Sequence, residues 1–201
     1  MTGALIYVMG PSGAGKDSVL ARARALLPGE APIVFAHRYI TRPADSGGEN
    51  HIALSPEEFA IRRRRGLFAY HWRAHGNDYG IGREIHEWRQ AGMAVVVSGS
   101  REHFHGYFQK TGGLEAQALP VLITASTRRL QARLAGRGRE NEAQAAARLD
   151  RAEAYAIDDP RLVTIVNDGV LDEAAQRFAD LLAALMPPAR PVCSTDGRPP
   201  A

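Results

Sequence analysis

Between Leu5 and Leu27 an apolar run, Leu5-Ile-Tyr-Val-Met9, passes through Gly10-Pro11-Ser12-Gly13-Ala14-Gly15 into Lys16-Asp17-Ser18 and then into a stretch of helical character. That order restricts the fold more than any other feature of the chain. A buried strand followed by closely spaced glycines lets successive backbone NH groups converge on one anion. Lys16 adds a compact positive charge, and a helix over 16–27 turns its unpaired NH groups and positive dipole end toward the same point. Residues 10–18 are therefore the predicted lining of a phosphate cradle. The position after the lysine departs from the usual pattern, in which Ser or Thr holds a divalent metal: here it is Asp17, with a hydroxyl only at Ser18.

Four more apolar runs rich in branched residues, near 32–36 and at 94–98, 119–124 and 162–166, join residues 4–9 as strands, with helices predicted over 16–27, 101–109, 127–135, 141–156 and 171–186. Alternation of this kind means an α/β fold: a parallel sheet flanked by helices, in one domain over 1–187 of the 201 residues. Residues 37–92 break the alternation. They hold short strand candidates at 51–54 and 67–73 and a helix opened by Ser55-Pro-Glu-Glu, and read as an inserted acceptor-binding subdomain. A tail over 188–201 is too poor in apolar residues to pack. No apolar run approaches membrane-span length, and a cytoplasmic protein is the expectation. The single cysteine, Cys193, excludes an internal disulfide and a thiolate zinc site.

Beyond the cradle, three clusters point to phosphate transfer. His37-Arg38-Tyr-Ile-Thr41-Arg42, followed by Glu49-Asn50-His51, brings two arginines to the end of a predicted strand, where they can grip an anionic acceptor. His75-Gly-Asn-Asp-Tyr79-Gly80-Ile81-Gly82-Arg83 reads as a glycine-rich turn feeding a helix, with Tyr79 and Arg83 as further acceptor contacts. Arg133-Leu-Ala-Gly136-Arg137-Gly138-Arg139, with Arg148 on the next helix, has the flexibility and charge of a lid over about 136–142. Arg62-Arg63-Arg64-Arg65 lacks interleaved aromatics and reads as an exposed helix end, so no nucleic-acid partner is expected. The histidines form no metal-binding pattern, and no nucleophile motif is present.

In this order the clusters resemble the guanylate-kinase-like branch of P-loop kinases over residues 3–186: Gly10-Pro-Ser-Gly-Ala-Gly-Lys16, Thr41-Arg42, Ser55-Pro-Glu-Glu-Phe59, His75-Gly-Asn-Asp-Tyr-Gly80, Arg133-Leu-Ala-Gly-Arg-Gly138 and Ile165-Val-Asn-Asp168. The resemblance implies a kinase with ATP as donor, Mg2+ as metal, Lys16, Arg137 and Arg148 in catalysis and Asn167 beside the nucleotide. Guanine recognition departs from that pattern. Where guanylate kinases carry a base-reading glutamate, a base-contacting hydroxyl and a carboxylate after the next core strand, this chain has Tyr70, Ile81 and Ser98-Gly99-Ser100-Arg101. These departures, with Gly10 to Ser18 including Asp17, His37 to Arg42, Glu49 to Ser55 and Gly136 to Asn141, are similar to the ribose 1,5-bisphosphate phosphokinases of phosphonate degradation. That resemblance implies a phosphorylated sugar as acceptor, with Arg38, Arg42, His51, Tyr79 and Arg83 as the candidate contacts; the Asp17 carboxylate is itself read as helping to place the metal. A nucleoside monophosphate kinase and a noncatalytic guanylate-kinase-like interaction domain are the alternatives. Oligomeric state is not legible.

Overall fold

The computed structural model describes residues 2–46, 49–108, 118–135 and 157–186. In chain order the elements are β1 (Leu5–Met9), α1 (Lys16–Leu26), β2 (Ile33–Phe35), β3 (Arg38–Ile40), β4 (Ile52–Ala53), α2 (Pro56–Arg64), β5 (Phe68–Ala74), β6 (Asn77–Gly82), α3 (Glu84–Gln90), β7 (Ala94–Ser98), α4 (Arg101–His103), β8 (Leu119–Thr124), α5 (Thr127–Ala135), β9 (Val163–Val166) and α6 (Leu171–Ala184). The expected lid at 136–142, Arg137, Arg148, the helix at 141–156 and the tail from 188 lie outside the described residues.

The five predicted core strands form one parallel sheet in the order β2-β7-β1-β8-β9. Central β1 is the first strand made, and the chain leaves it for one edge before returning past it to the other. Its carboxyl end is thus a topological switch point, the place where open α/β sheets leave a crevice for ligands. Period-2 alternation sends its side chains into two separate cores. Ile6 and Val8 face α1 and α6 among Val19, Leu20, Val96, Val121, Ile123 and Phe178. Leu5, Tyr7 and Met9 face the other way, against Tyr70, Ile81, Ile85, Val97 and Phe104. Helices α1 and α6 lie side by side on the first face, stitched at the surface by two Arg22 to Asp172 hydrogen bonds of 2.8 and 2.9 Å.

The segment expected to be an insertion builds a second sheet, β4-β3-β6-β5. Its helix α2 starts as the sequence indicates: the Ser55 hydroxyl accepts the Glu58 amide at 3.1 Å, and Pro56 opens the first turn. Three readings need correction. The glycine-rich stretch 75–83 is not one long turn: His75 and Gly76 turn, both at positive φ, residues 77–82 return as strand β6, and Arg83 turns into α3. Arg38 also does not end the strand at 33–35; it begins β3, which pairs with β6 in the second sheet. The helix expected over 101–109 is a single α-turn that widens into a π-turn over Phe104–Phe108.

Tyr70 from β5 and His103 join the two sheets through the buried Tyr7. The Tyr7 and Tyr70 rings meet edge-on at 6.4 Å, and the Tyr7 hydroxyl lies 3.0 Å from His103 Nδ1. Burial, helped by neighbouring His71, pulls the His103 imidazole from its ordinary value down to about 4. Its folded pKa is therefore below its unfolded one, so the stabilisation is complete above about pH 6.5 and is lost as pH falls toward 4. Chemical denaturation at several pH values across that window should show stability declining with acid by at most about 1.4 kcal/mol per pH unit from this residue, and His103→Phe should flatten that part of the slope. An unchanged slope in the variant would mean the imidazole is charged in the folded protein.

Candidate active site

The loop between β1 and α1 is shaped by its glycines for different reasons. Gly13 and Gly15 sit at φ 88° and 80°, where a side chain is strained. Gly10 instead lacks room, since a Cβ there would run into the Ile123 carbonyl of β8. A loop that aims its amides inward leaves carbonyls facing outward, and these are caught from behind. Asn167, just past β9, donates its Nδ2 to the Ala14 carbonyl at 2.8 Å. Arg133 of α5 donates one guanidinium nitrogen to the carbonyls of Ala14 and Gly13 at 3.2 and 3.4 Å and another to the Asn167 carbonyl at 2.9 Å. Asn167 is buried at 3% exposure, so its bond is shielded from water. The sequence placed Asn167 beside the nucleotide and Arg133 in the stem of the lid; their joint grip on the loop backbone could not be read from spacing.

Lys16 opens α1 and points across the crevice. Its ammonium donates to Asp17 Oδ1 at 2.7 Å and to the Ser98 hydroxyl, at the end of β7, at 2.5 Å. Burial, and then the positive charge of Arg38, pull the Lys16 ammonium below its ordinary range, while Asp17 and Glu49 oppose the shift. Arg38 Nη2 comes within 3.9 Å of the same Asp17 oxygen. A side chain from the second sheet and one from the phosphate loop therefore meet at a single carboxylate.

On the second sheet, the Arg38 guanidinium lies over the Tyr79 ring at 5.3 Å, and that ring is stacked on Trp72 at 5.5 Å, nearly parallel. Arg38 Nε donates to Glu49 Oε2 at 2.6 Å, and its Nη2 donates to the other oxygen of the same carboxylate. Arg42 Nη2 stands 3.5 Å from Glu49, while its Nε and Nη2 are buried without a hydrogen-bond partner among the described residues. His51 is turned into the loop: its two nitrogens face the carbonyls of Glu49 and Arg42, each at 3.1 Å. It is thus placed to hold the arginine loop rather than to reach a ligand. Tyr79 likewise supports Arg38. Arg83 is exposed and reaches the Gly66 carbonyl at 3.5 Å, with no contact to this group among the described residues.

The positions that would read a purine carry core side chains. Tyr70 is 2% exposed and Ile81 fully buried, both packed against β1 and β7. Glu49, the partner of Arg38 and Arg42, was visible only as part of a polar run; no local pattern links it to an arginine eleven residues earlier.

No family model matches the chain. It is similar to proteins curated as ribose 1,5-bisphosphate phosphokinase PhnN: 53% identical to that of Desulfomicrobium baculatum over 89% of this chain and 93% of the relative, 46% to that of Thiobacillus denitrificans over 90% and 93%, and 49% to that of Dickeya zeae over 90% and 93%. Among solved structures, guanylate kinase from Anaplasma phagocytophilum superposes with a TM-score of 0.66 at 20% identity, over 91% of this chain and 86% of that one. The α/β fold is accordingly that of a P-loop kinase of the guanylate kinase type, and the chain belongs to the ribose 1,5-bisphosphate phosphokinase family.

Proposed function

We propose that the protein transfers the γ-phosphoryl group of ATP, with Mg2+, to the 1-phosphate of ribose 1,5-bisphosphate, giving 5-phosphoribosyl 1-diphosphate and ADP. The observation that carries this reading is the meeting of Lys16 and Arg38 at Asp17, which sets a cation of the phosphate loop and a cation of the second sheet on either side of one point. A phosphate acceptor has a second pKa of about 6 and is largely deprotonated at neutral pH. It needs no strong base. Its barrier is mutual repulsion with ATP, and the chain answers that with positive groups: loop amides and Lys16 on the donor, Arg38 and Arg42 on the acceptor, and the expected lid arginines Arg137 and Arg148 on the moving group. The second sheet is the acceptor-binding part, and the core packing of Tyr70 and Ile81, at the positions where guanylate kinases carry a glutamate and a hydroxyl, favours a sugar phosphate over a purine nucleotide.

For Mg2+ the chain offers the Asp17 carboxylate next to the Ser18 hydroxyl. Few hard oxygen donors suit an ion that keeps much of its water and takes its remaining ligands from phosphate. Among the described residues there is no group of three or more His, Cys, Asp or Glu able to hold a metal, so Asp17 would act together with the nucleotide. When bound, the ion supplies positive charge against the crowded phosphates. In the chain itself, Asp17 opposes the loss of charge that burial and Arg38 impose on Lys16 and holds Lys16 and Arg38 near each other, and donor phosphate oxygens take over Lys16 from Ser98 and Asp17. Among the described residues no helix is long and apolar enough to cross a membrane.

Incubation with ATP, Mg2+ and either ribose 1,5-bisphosphate or GMP, followed by product identification, should give 5-phosphoribosyl 1-diphosphate in the first mixture and little GDP in the second; the reverse preference would replace this reading by a nucleotide kinase. Asp17→Asn should raise the Mg2+ concentration needed for half-maximal rate with little change in melting temperature, and an unaltered metal titration counts against a metal role for Asp17. Asn167→Ala removes a buried donor from the Ala14 carbonyl and should cost about 1–3 kcal/mol of stability. The same change should weaken binding of a non-hydrolysable ATP analogue in calorimetry, whereas an intact affinity would show that the loop holds its shape without this bond.

A further inference from the structure

We infer that the Glu49 carboxylate and the acceptor's phosphate compete for the same edge of Arg38, so that Glu49 sets the threshold an acceptor must exceed; this rests on the acceptor site proposed above. A guanidinium binds a carboxylate or a phosphate most strongly through two parallel NH groups. Glu49 takes both nitrogens of one such edge, Nε and Nη2, and its Oε1 also faces Arg42 at 3.5 Å. One oxyanion bridging two arginines is the arrangement a bound phosphate would have. Both partners of the Arg38 pair are sheltered, at 11% and 12% side-chain exposure, so the bond is not a loose surface contact.

Arg38 is not free to turn toward a second anion while keeping Glu49. Its plane is fixed over Tyr79, which Trp72 backs, and its Nη2 already reaches toward Asp17. The Glu49 backbone is fixed as well, through its carbonyl and the His51 ring. Exchange therefore happens by rotation of the Glu49 side chain. A singly charged group gains little from replacing one carboxylate by another of equal charge. A phosphate dianion brings more charge and a third oxygen, which can reach the Arg42 Nε and Nη2 that lack hydrogen-bond partners among the described residues. Glu49 thus favours doubly charged phosphate ends over carboxylates and singly charged esters, and it weakens apparent acceptor affinity in exchange for that discrimination.

The test uses the full chain with its phosphate loop saturated by a non-hydrolysable ATP analogue, and calorimetric titration with inorganic phosphate and with acetate. Glu49→Gln should tighten phosphate binding by roughly three- to tenfold, the range for losing a charge-assisted competitor, and should narrow the preference for phosphate over acetate. Glu49→Ala must move in the same direction, and Arg38→Gln should abolish binding at this site. Unchanged or weaker phosphate binding in both Glu49 variants overturns the inference and makes Glu49 a support for Arg38. Steady-state assays with ribose 1,5-bisphosphate form a separate arm: a wild-type enzyme that does not turn this acceptor over sinks the functional reading, while the titrations still decide the role of Glu49.

Discussion

Backbone polarity at the turn after β1 governs the molecule. Amides that converge on an anion leave their carbonyls on the outside of the turn, and a buried carbonyl without a donor is costly. Here the donors come from two distant elements, Asn167 after the edge strand β9 and Arg133 from α5. The phosphate loop is thereby tied to the far side of the parallel sheet, and the sheet order follows a purpose: it sets β8 beside β1 and β9 beside β8, on the side from which these donors reach the loop. Arg133 is also near the end of α5, the last described helix before the expected lid.

The other half of the site is organised by aromatic packing. A charge placed over Tyr79, on a ring stacked against Trp72, is held in direction as well as position. The second sheet is in turn fixed to the first through Tyr70 against Tyr7, with His103 alongside. The phosphate loop and the second-sheet arginines proposed to hold the acceptor are therefore referred to one buried tyrosine of β1. Arg38 and Lys16 meet at Asp17 because both ends of that linkage are rigid.

What the sequence disclosed follows the range of the interactions involved. β7 and β8 were legible to the residue because uninterrupted branched apolar runs have no other stable home, and the Ser55 cap and Lys16 are written within a few neighbouring positions. β6 was missed because Gly80 and Gly82 look like turn residues; Gly80 is there because the Phe68 ring fills the space of its missing side chain. β3 was hidden by its length and its arginine. In the site, residue types were readable and partners were not: nothing local pairs Arg38 with Glu49, Arg133 with Gly13, or His51 with two carbonyls of its own loop.

Strand β1 sends alternate side chains into two cores and carries the glycine-rich loop at its end. Inserting or deleting one residue within it would exchange the two sets, driving Tyr7 among aliphatic neighbours and Ile6 or Val8 among aromatic ones, and would displace the loop by about 3.3 Å, one strand residue. Five consecutive positions therefore keep a reading frame for the whole protein. Length variation between relatives should accumulate in the connections and leave this strand untouched.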